Sequence, residues 1–366
     1  MSRIEPTIDI RVTEWIEQLS ERFGKTGVVF DLADWLGYFA YDMIAELAFG
    51  EPLGFVTRGV DVNQLIKKFH DMAPFAGFVA ALPWIAKIFT SNPLGRYIFM
   101  PKPGDNTGTG QIMAYRDHLL KDRFENPMEG VHNDVLQSLL CATHKDGTKI
   151  TMDEVKAESF VLMVAATDTV SAFMNPMIIF VLLNQEVYRK LMAEITEFET
   201  TGKLSPGVPT YQELQDMPYF QACVKETLRH SPSAPTILPR IVSEGGEELN
   251  GMYAPAGAEV AANAWVTNRH PEVYGKDSME WRPERWLDCD EQHSKMMERF
   301  LHTFGYGQRS CLGKHMAKME TQKICMQFFR AFIPSFTNLE RPFVTENWSM
   351  QIYWDVLMTI KPRVKE

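Results

Sequence analysis

Read for its apolar and polar positions, the chain divides into long helical stretches separated by Gly- and Pro-rich turns. Residues 12–49 repeat apolar side chains at helical spacing, with a turn expected around residues 24–28. Residues 104–110 (GDNTGTG) read as a loop and residues 111–126 as a charged helix after it. Thr151 and Glu154 stand at capping-box spacing: the Thr hydroxyl can accept from a backbone N–H while the Glu carboxylate reaches back. That box opens an apolar helix of about thirty residues, ~45 Å long at 1.5 Å per residue. Pro176 inside it removes a backbone donor and crowds the preceding turn, so a kink is expected there. Residues 186–200 and 212–229 predict two further helices, and residues 311–332 the last strong one. Between them, residues 237–264 alternate Gly, Pro and β-branched residues like a small sheet with turns at Gly245-Gly246 and Asn250-Gly251. The tail is strand-like and broken by Pro334, Pro342 and Pro362. The expected fold class is mainly α with a minor β-sheet.

Composition narrows the function. The 366 residues are 45% hydrophobic and 11% aromatic, enough for a large core. With 37 basic and 47 acidic residues the net charge is 37 − 47 = −10, and no basic run offers a phosphate-neutralising face, which argues against nucleic-acid binding. Five cysteines at 141, 223, 289, 311 and 325 form no CxxC pair, which argues for a reducing compartment. Residues 1–11 are charged and lack an apolar h-region, so no signal peptide is expected. Residues 72–89 are apolar but broken by Pro74, Gly77 and Pro83, and are expected to be buried or to graze a membrane rather than span it. Residues 157–183 are long enough to span, yet Glu158, Asp168 and Asn175 suit a buried helix lining a site better.

The strongest chemical signal is Phe304-Gly-Tyr-Gly307-Gln-Arg309-Ser-Cys311-Leu-Gly313, which fits FxxGxRxCxG at every fixed position just ahead of a helix. Gly307 permits a tight turn. Cys311 then stands at a helix N-terminus, where the dipole favours a thiolate able to ligate iron. Gly313 allows close approach to a flat cofactor, and Arg309 offers a cation to a carboxylate. On the long apolar helix, Ala165-Ala-Thr-Asp168-Thr169 places an acid and a hydroxyl side by side, a pair able to relay protons. The plain alternative is that Thr169 bonds the carbonyl one turn back. Glu226 and Arg229 form an ExxR pair, of which Glu186 and Arg189 are a second copy; only the first is followed by Ser231-Pro232 and then by Pro283-Glu-Arg285-Trp286.

Together these motifs resemble the cytochrome P-450 superfamily, and the texture of residues 31–42 and 265–270 resembles fungal microsomal members of the pisatin demethylase and benzoate hydroxylase type. The resemblance implies a haem-thiolate monooxygenase whose haem b iron is held by Cys311. It further implies Asp168 and Thr169 as the proton-relay pair, with Ala166 standing where the family has Gly. Haem contacts would come from Phe304, Gly305, Arg309, Gly313, Ala165 and Arg240. Glu226, Arg229 and Arg285 would form a buried structural triad. By the same analogy Phe160, Val164, Pro235, Thr236 and Ile237 would face a lipophilic substrate. O2 and an NADPH–cytochrome P-450 reductase would be the partners, because no GxGxxG marks a fused nicotinamide or flavin domain. Full-length relatives would sit at the endoplasmic reticulum membrane, on its cytosolic side. The chain is expected to be one such domain over residues 1–366, starting inside the family fold without its membrane anchor or first helices. Two other readings stay open: a haem-thiolate isomerase or dehydratase, and a remnant that binds haem poorly.

Overall fold

The computed structural model describes residues 4–125 and 134–363; Asn126, the expected end of the charged helix, lies outside them. Helix α1 (Glu5–Leu19) starts at a Pro-containing first turn and buries Ile8, Val12, Trp15 and Leu19, one stripe at helical spacing. After a π-turn (Ser20–Gly24) and the two-residue strand β1 (Phe30–Asp31), Asp31 caps α2 (Leu32–Phe49) through the Ala33 N–H, and Gly50 ends it at φ 90°. Because α2 is buried nearly all round, its one central acid needs partners. Asp42 takes the N–H groups of Gly54, Phe55 and Val56 at 2.7, 3.1 and 2.9 Å.

Helices α3 (Leu65–Ala81) and α4 (Pro83–Ser91) carry the broken apolar stretch. Their Met72, Phe75, Phe78, Trp84 and Ile88 side chains are exposed, so this segment is not the buried one considered above. Helix α5 (Gly108–Glu125) begins inside the expected loop, where Gly108 lies so close to Phe69 of α3 that a Cβ would fall 2.4 Å from its backbone N.

Helix α6 (Met152–Leu183) carries the reciprocal Thr151–Glu154 box. It runs unbroken through Pro176, and the neighbouring Asn175 side chain bonds the Ser171 carbonyl at 3.0 Å. Among the described residues it is the one helix long and apolar enough to cross a membrane, yet most of that stretch is buried against α2, α9 and their neighbours. Helix α7 (Gln185–Thr200) follows. The single helix expected over residues 212–229 is two, Tyr211–Gln215 and α8 (Pro218–His230), because Pro218 holds Met217 extended (φ −98°, ψ 94°). Helix α9 (Lys314–Ala331) starts three residues after Cys311 rather than at it.

The strands are short and antiparallel. β2 (Arg240–Ile241) pairs with β5 (Glu259–Val260), and β3 (Glu247–Leu249) with β4 (Met252–Ala254). β6 (Phe332–Phe336) and β1 flank β9 (Leu357–Pro362), which ties the two ends of the chain together. β7 (Val344–Asn347) and β8 (Gln351–Trp354) make a hairpin against α6. The architecture is mainly α with small antiparallel sheets, around a core that α1, α2, α6, α8 and α9 share.

Lys323 of α9 is fully buried and holds α1, its ammonium on Glu5 at 2.7 Å, Asp9 at 2.6 Å and the Pro209 carbonyl at 2.7 Å. Lys323→Met is expected to lower the urea-unfolding free energy by about 3 kcal/mol, the scale of hydrogen bonds to a charged group. Asp9→Asn should cost less, because Asp9 is part-exposed and water can replace its partner.

Candidate functional site

The Cys311 loop is built from two left-handed glycines, Gly305 (φ 67°) and Gly307 (φ 69°), a conformation that side chains with a Cβ resist. Its amides turn inward: Gly305 N–H donates to His302 O, Ser310 N–H to Gly307 O, and Cys311 N–H to Phe304 O at 2.8 Å. With its backbone so used, Cys311 presents an exposed side chain at the amino end of α9, where Gly313 is the cap and the helix dipole is positive. Cys223 and Cys325 are instead fully buried, and burial pushes both thiols well above their ordinary range. Lys314 and Lys318 lie over the Phe304 ring, and burial pulls the Lys318 ammonium down, the Lys314 charge adding to it.

Behind the loop lies a buried charge network. Glu226 receives Arg229 twice, at 2.8 and 2.7 Å, together with Trp286 Nε1 at 2.9 Å, the Arg282 N–H at 2.8 Å and Arg285 at 3.5 Å. Arg229 also donates to the carbonyls of Asn268, Ser278 and Glu280. Arg285 reaches the Tyr274 carbonyl and Asp277, whose carboxyl that bond first, and Arg282 next, hold down at about 2. Asn268 then carries the network to the loop: its side chain accepts from His302 N–H at 2.8 Å and donates to Thr303 Oγ1 at 2.9 Å. The second ExxR copy, Glu186 with Arg189, is an exposed pair at 2.7 Å on α7.

On α6, Thr169 Oγ1 donates to the Ala165 carbonyl at 2.6 Å, the local bond considered from the sequence. Asp168 is buried and its Oδ2 lies 3.1 Å from His70 Nε2 of α3. Burial and then the Asp168 charge push the nearby Tyr41 phenol well above its ordinary value. His70, Asn268 and Trp286 are contacts that sequence reasoning missed. Trp286 stood within a quoted motif, whereas nothing local in sequence marks His70.

The remaining sequence-predicted residues divide. Arg240 is exposed on β2 and donates to Leu238 O and Pro239 O, while Arg309 is exposed in the Cys311 loop. Phe160 and Val164 pack half-buried on the core, with Ala165 exposed beside them. Pro235 is buried, Thr236 half-buried and Ile237 exposed, bridged to Asn263.

The cytochrome P-450 family matches residues 1–363 of this sequence. The chain belongs to the cytochrome P-450 family. It is 31% identical over 352 residues to a cytochrome P-450 monooxygenase of Penicillium brevicompactum, mpaDE, covering 94% of this chain and 40% of that protein. A cytochrome P-450 monooxygenase of Aspergillus terreus is 31% identical over 333 residues, 90% of this chain and 66% of its own length. The pkfB monooxygenase of Emericella nidulans is 31% identical over 354 residues, 95% and 68% respectively. The chain thus spans from two fifths to about two thirds of these relatives.

Cytochrome P-450 proteins hold haem iron by a cysteine thiolate and work with O2 and a redox partner. The Cys311 surroundings fit such a group. One exposed sulfur stands on a helix head, and a Cβ built on Gly307 or Gly313 would meet no atom within 4 Å, so a flat ring can approach. Leu312 and Tyr306 beside it are exposed apolar surface, and Arg309 stands exposed in the same loop.

Two tests follow from the cytochrome P-450 network. Glu226→Gln should lower stability by about 3–5 kcal/mol, because it leaves buried guanidinium groups without their countercharge. Glu186→Gln should be nearly silent in the same chemical-unfolding assay, since its pair is exposed. The second test is of pH. Burial first, then the Arg269 and Arg229 charges, depress the His230 imidazole to about 4. A depressed folded value means that the unfolded chain binds the proton more readily. His230 therefore contributes stability that is fully present above about 6.5 and lost as pH falls toward about 4. Urea midpoints at pH 7 and pH 5 should differ, and His230→Asn should narrow that difference.

Proposed function

We propose that this chain carries the catalytic domain of a haem-thiolate monooxygenase, which inserts one oxygen atom of O2 into a lipophilic small molecule. Electrons come from a separate NADPH-dependent reductase. The observation that supports this best is the exposed Cys311 side chain, held out at the head of α9 by a loop whose own amides are satisfied. When bound, haem b supplies the iron centre at which O2 is activated. The chain's residues do the rest. Cys311 would hold the iron as a thiolate, a ligand type that donates electron density to it. Arg309 and Arg240 bind the propionates, and the Glu226–Arg229–Arg285 network holds the loop at fixed height. Asp168 and Thr169 hold and move protons on the oxygen side. Because Thr169 gives its own hydroxyl proton to Ala165 O, the proton it passes on has to come to its lone pairs from Asp168 or a water.

Phe160, Val164 and Ala165 on α6, with Thr236 and Ile237 after α8, form the proposed substrate walls; their apolar character suits an aromatic, terpenoid or polyketide molecule. The exposed Phe75, Phe78, Trp84 and Ile88 of α3 and α4 support contact with a membrane, which we place at the cytosolic face of the endoplasmic reticulum.

The test is the absorption of the hemin-loaded chain, reduced and exposed to CO. The wild-type chain should give the red-shifted Soret band of a thiolate-ligated haem. Cys311→Ala should lose it, and Cys141→Ala, whose cysteine is exposed on another part of the fold, should keep it. A Cys311→Ala protein with the thiolate band would overturn the assignment.

A further inference from the structure

The acid of the proton-relay pair does not face the core alone. His70 Nε2 lies 3.1 Å from Asp168 Oδ2, and since a carboxylate can only accept, Nε2 carries the proton of that bond. The other ring nitrogen, Nδ1, is buried and finds no partner among the described residues. Trp354 stands edge-on to the imidazole, centroids 4.8 Å apart at 89°, which fixes the plane of the ring. Beside them is a cavity of about 30 Å³, walled by His70, Asp168, Asp34, Ser171 and Tyr353, with room for a water. A second cavity of about 500 Å³ shares His70, Asp34 and Trp354 with it and reaches the exposed Lys67–Asp71 pair. Its walls are acidic: Asp34, Asp61, Asp71 and Glu346 stand against Lys67 and the His70 imidazole. Burial, then the Asp31 and Asp61 charges, raise the Asp34 carboxyl to about 6, so near neutral pH it both holds and releases protons.

We propose that His70 is a positioning residue that relays protons from this acidic cavity to Asp168. This rests on the monooxygenase reading above. In the step, the Asp34 carboxylic acid releases a proton through cavity water to Nδ1, the ring becomes an imidazolium, and the Asp34 carboxylate left behind regains a proton from solvent. Nε2 then gives its proton to the Asp168 carboxylate, which becomes a carboxylic acid, and the ring is left neutral with its proton on Nδ1. Exchange through water restores the first tautomer. One proton has moved inward and no electron has been transferred.

Two readouts test it. First, the haem-loaded chain is driven with NADPH and a cytochrome P-450 reductase, and peroxide released per O2 consumed is measured. His70→Gln keeps an N–H for Asp168 but cannot pass a proton. It should raise the peroxide yield roughly threefold, a modest share of the ~10²-fold a positioned proton donor can contribute. Asp168→Asn should do the same, and the double variant no more. Second, the imidazole N–H bonded to a carboxylate should give a slowly exchanging downfield proton NMR signal in the wild-type chain, absent from His70→Gln and from Asp168→Asn. A wild-type peroxide yield in His70→Gln would overturn the relay, and a ring signal that survives Asp168→Asn would overturn the contact itself. A chain with the ring signal but with neither a thiolate band nor O2 reduction would sink the monooxygenase reading instead, and the relay with it. Should His70→Gln fail to fold, His70→Asn, which also lacks a second titrating nitrogen, is read in its place.

Discussion

A carboxylate sealed from water has to be neutralised and hydrogen-bonded on all sides, and in this chain that requirement falls on Glu226. Five groups from α8 and from the residues around 282–286 converge on its two oxygens. Removing a guanidinium leaves charge uncompensated in a low-dielectric interior, and removing a neutral donor leaves a carboxylate lone pair unsatisfied. Arg229 spends its remaining donors on three carbonyls between residues 268 and 280, which have no strand or helix of their own to satisfy them. The network therefore orders a stretch of irregular backbone that hydrophobic burial alone would leave loose.

The reactive loop hangs from that stretch. Asn268 passes the order on by gripping His302 and Thr303 at the start of the loop, while Thr303 Oγ1 donates to Leu228 O of α8 at 2.5 Å. At its far end the loop runs into α9, whose buried face is shared with α1 and α6. Cys311 is thus fixed between a charge network and a packed helix while keeping no hydrogen-bonded duty of its own beyond its backbone N–H. A side chain proposed to meet a metal benefits from that arrangement, since the sulfur is exposed.

Legibility from sequence followed how local the physics is. The Thr151–Glu154 box, the turns at Gly245-Gly246 and Asn250-Gly251 and the extent of the α6 helix depend on near neighbours, and each appears where the pattern puts it. Residues 212–229 misled because apolar spacing continues across Pro218, although the proline forces Met217 out of the helix. Over residues 72–89 the pattern left burial and contact with a membrane both open, and the exposed side chains remove the first, because composition records that side chains are apolar, not whether the rest of the chain covers them. Within the site, the tight turn at Gly307 was legible because its left-handed φ suits that residue type. The Asp168–His70 contact was not, because it joins residues 98 apart in sequence through the packing of α3 on α6, and a lone His has no signature.

That contact also bears on how the acid–hydroxyl pair works. Two neighbouring residues on a helix point about 100° apart, so Asp168 and Thr169 set out in different directions. Thr169 turns back to bond Ala165 O, whereas Asp168 turns toward α3 and the acidic cavity behind it. The pair is therefore better understood as two ends of a path through the helix surface than as twin donors on one face. In the proposed relay the acid is recharged from its own side, where the His70 imidazole is bonded to it.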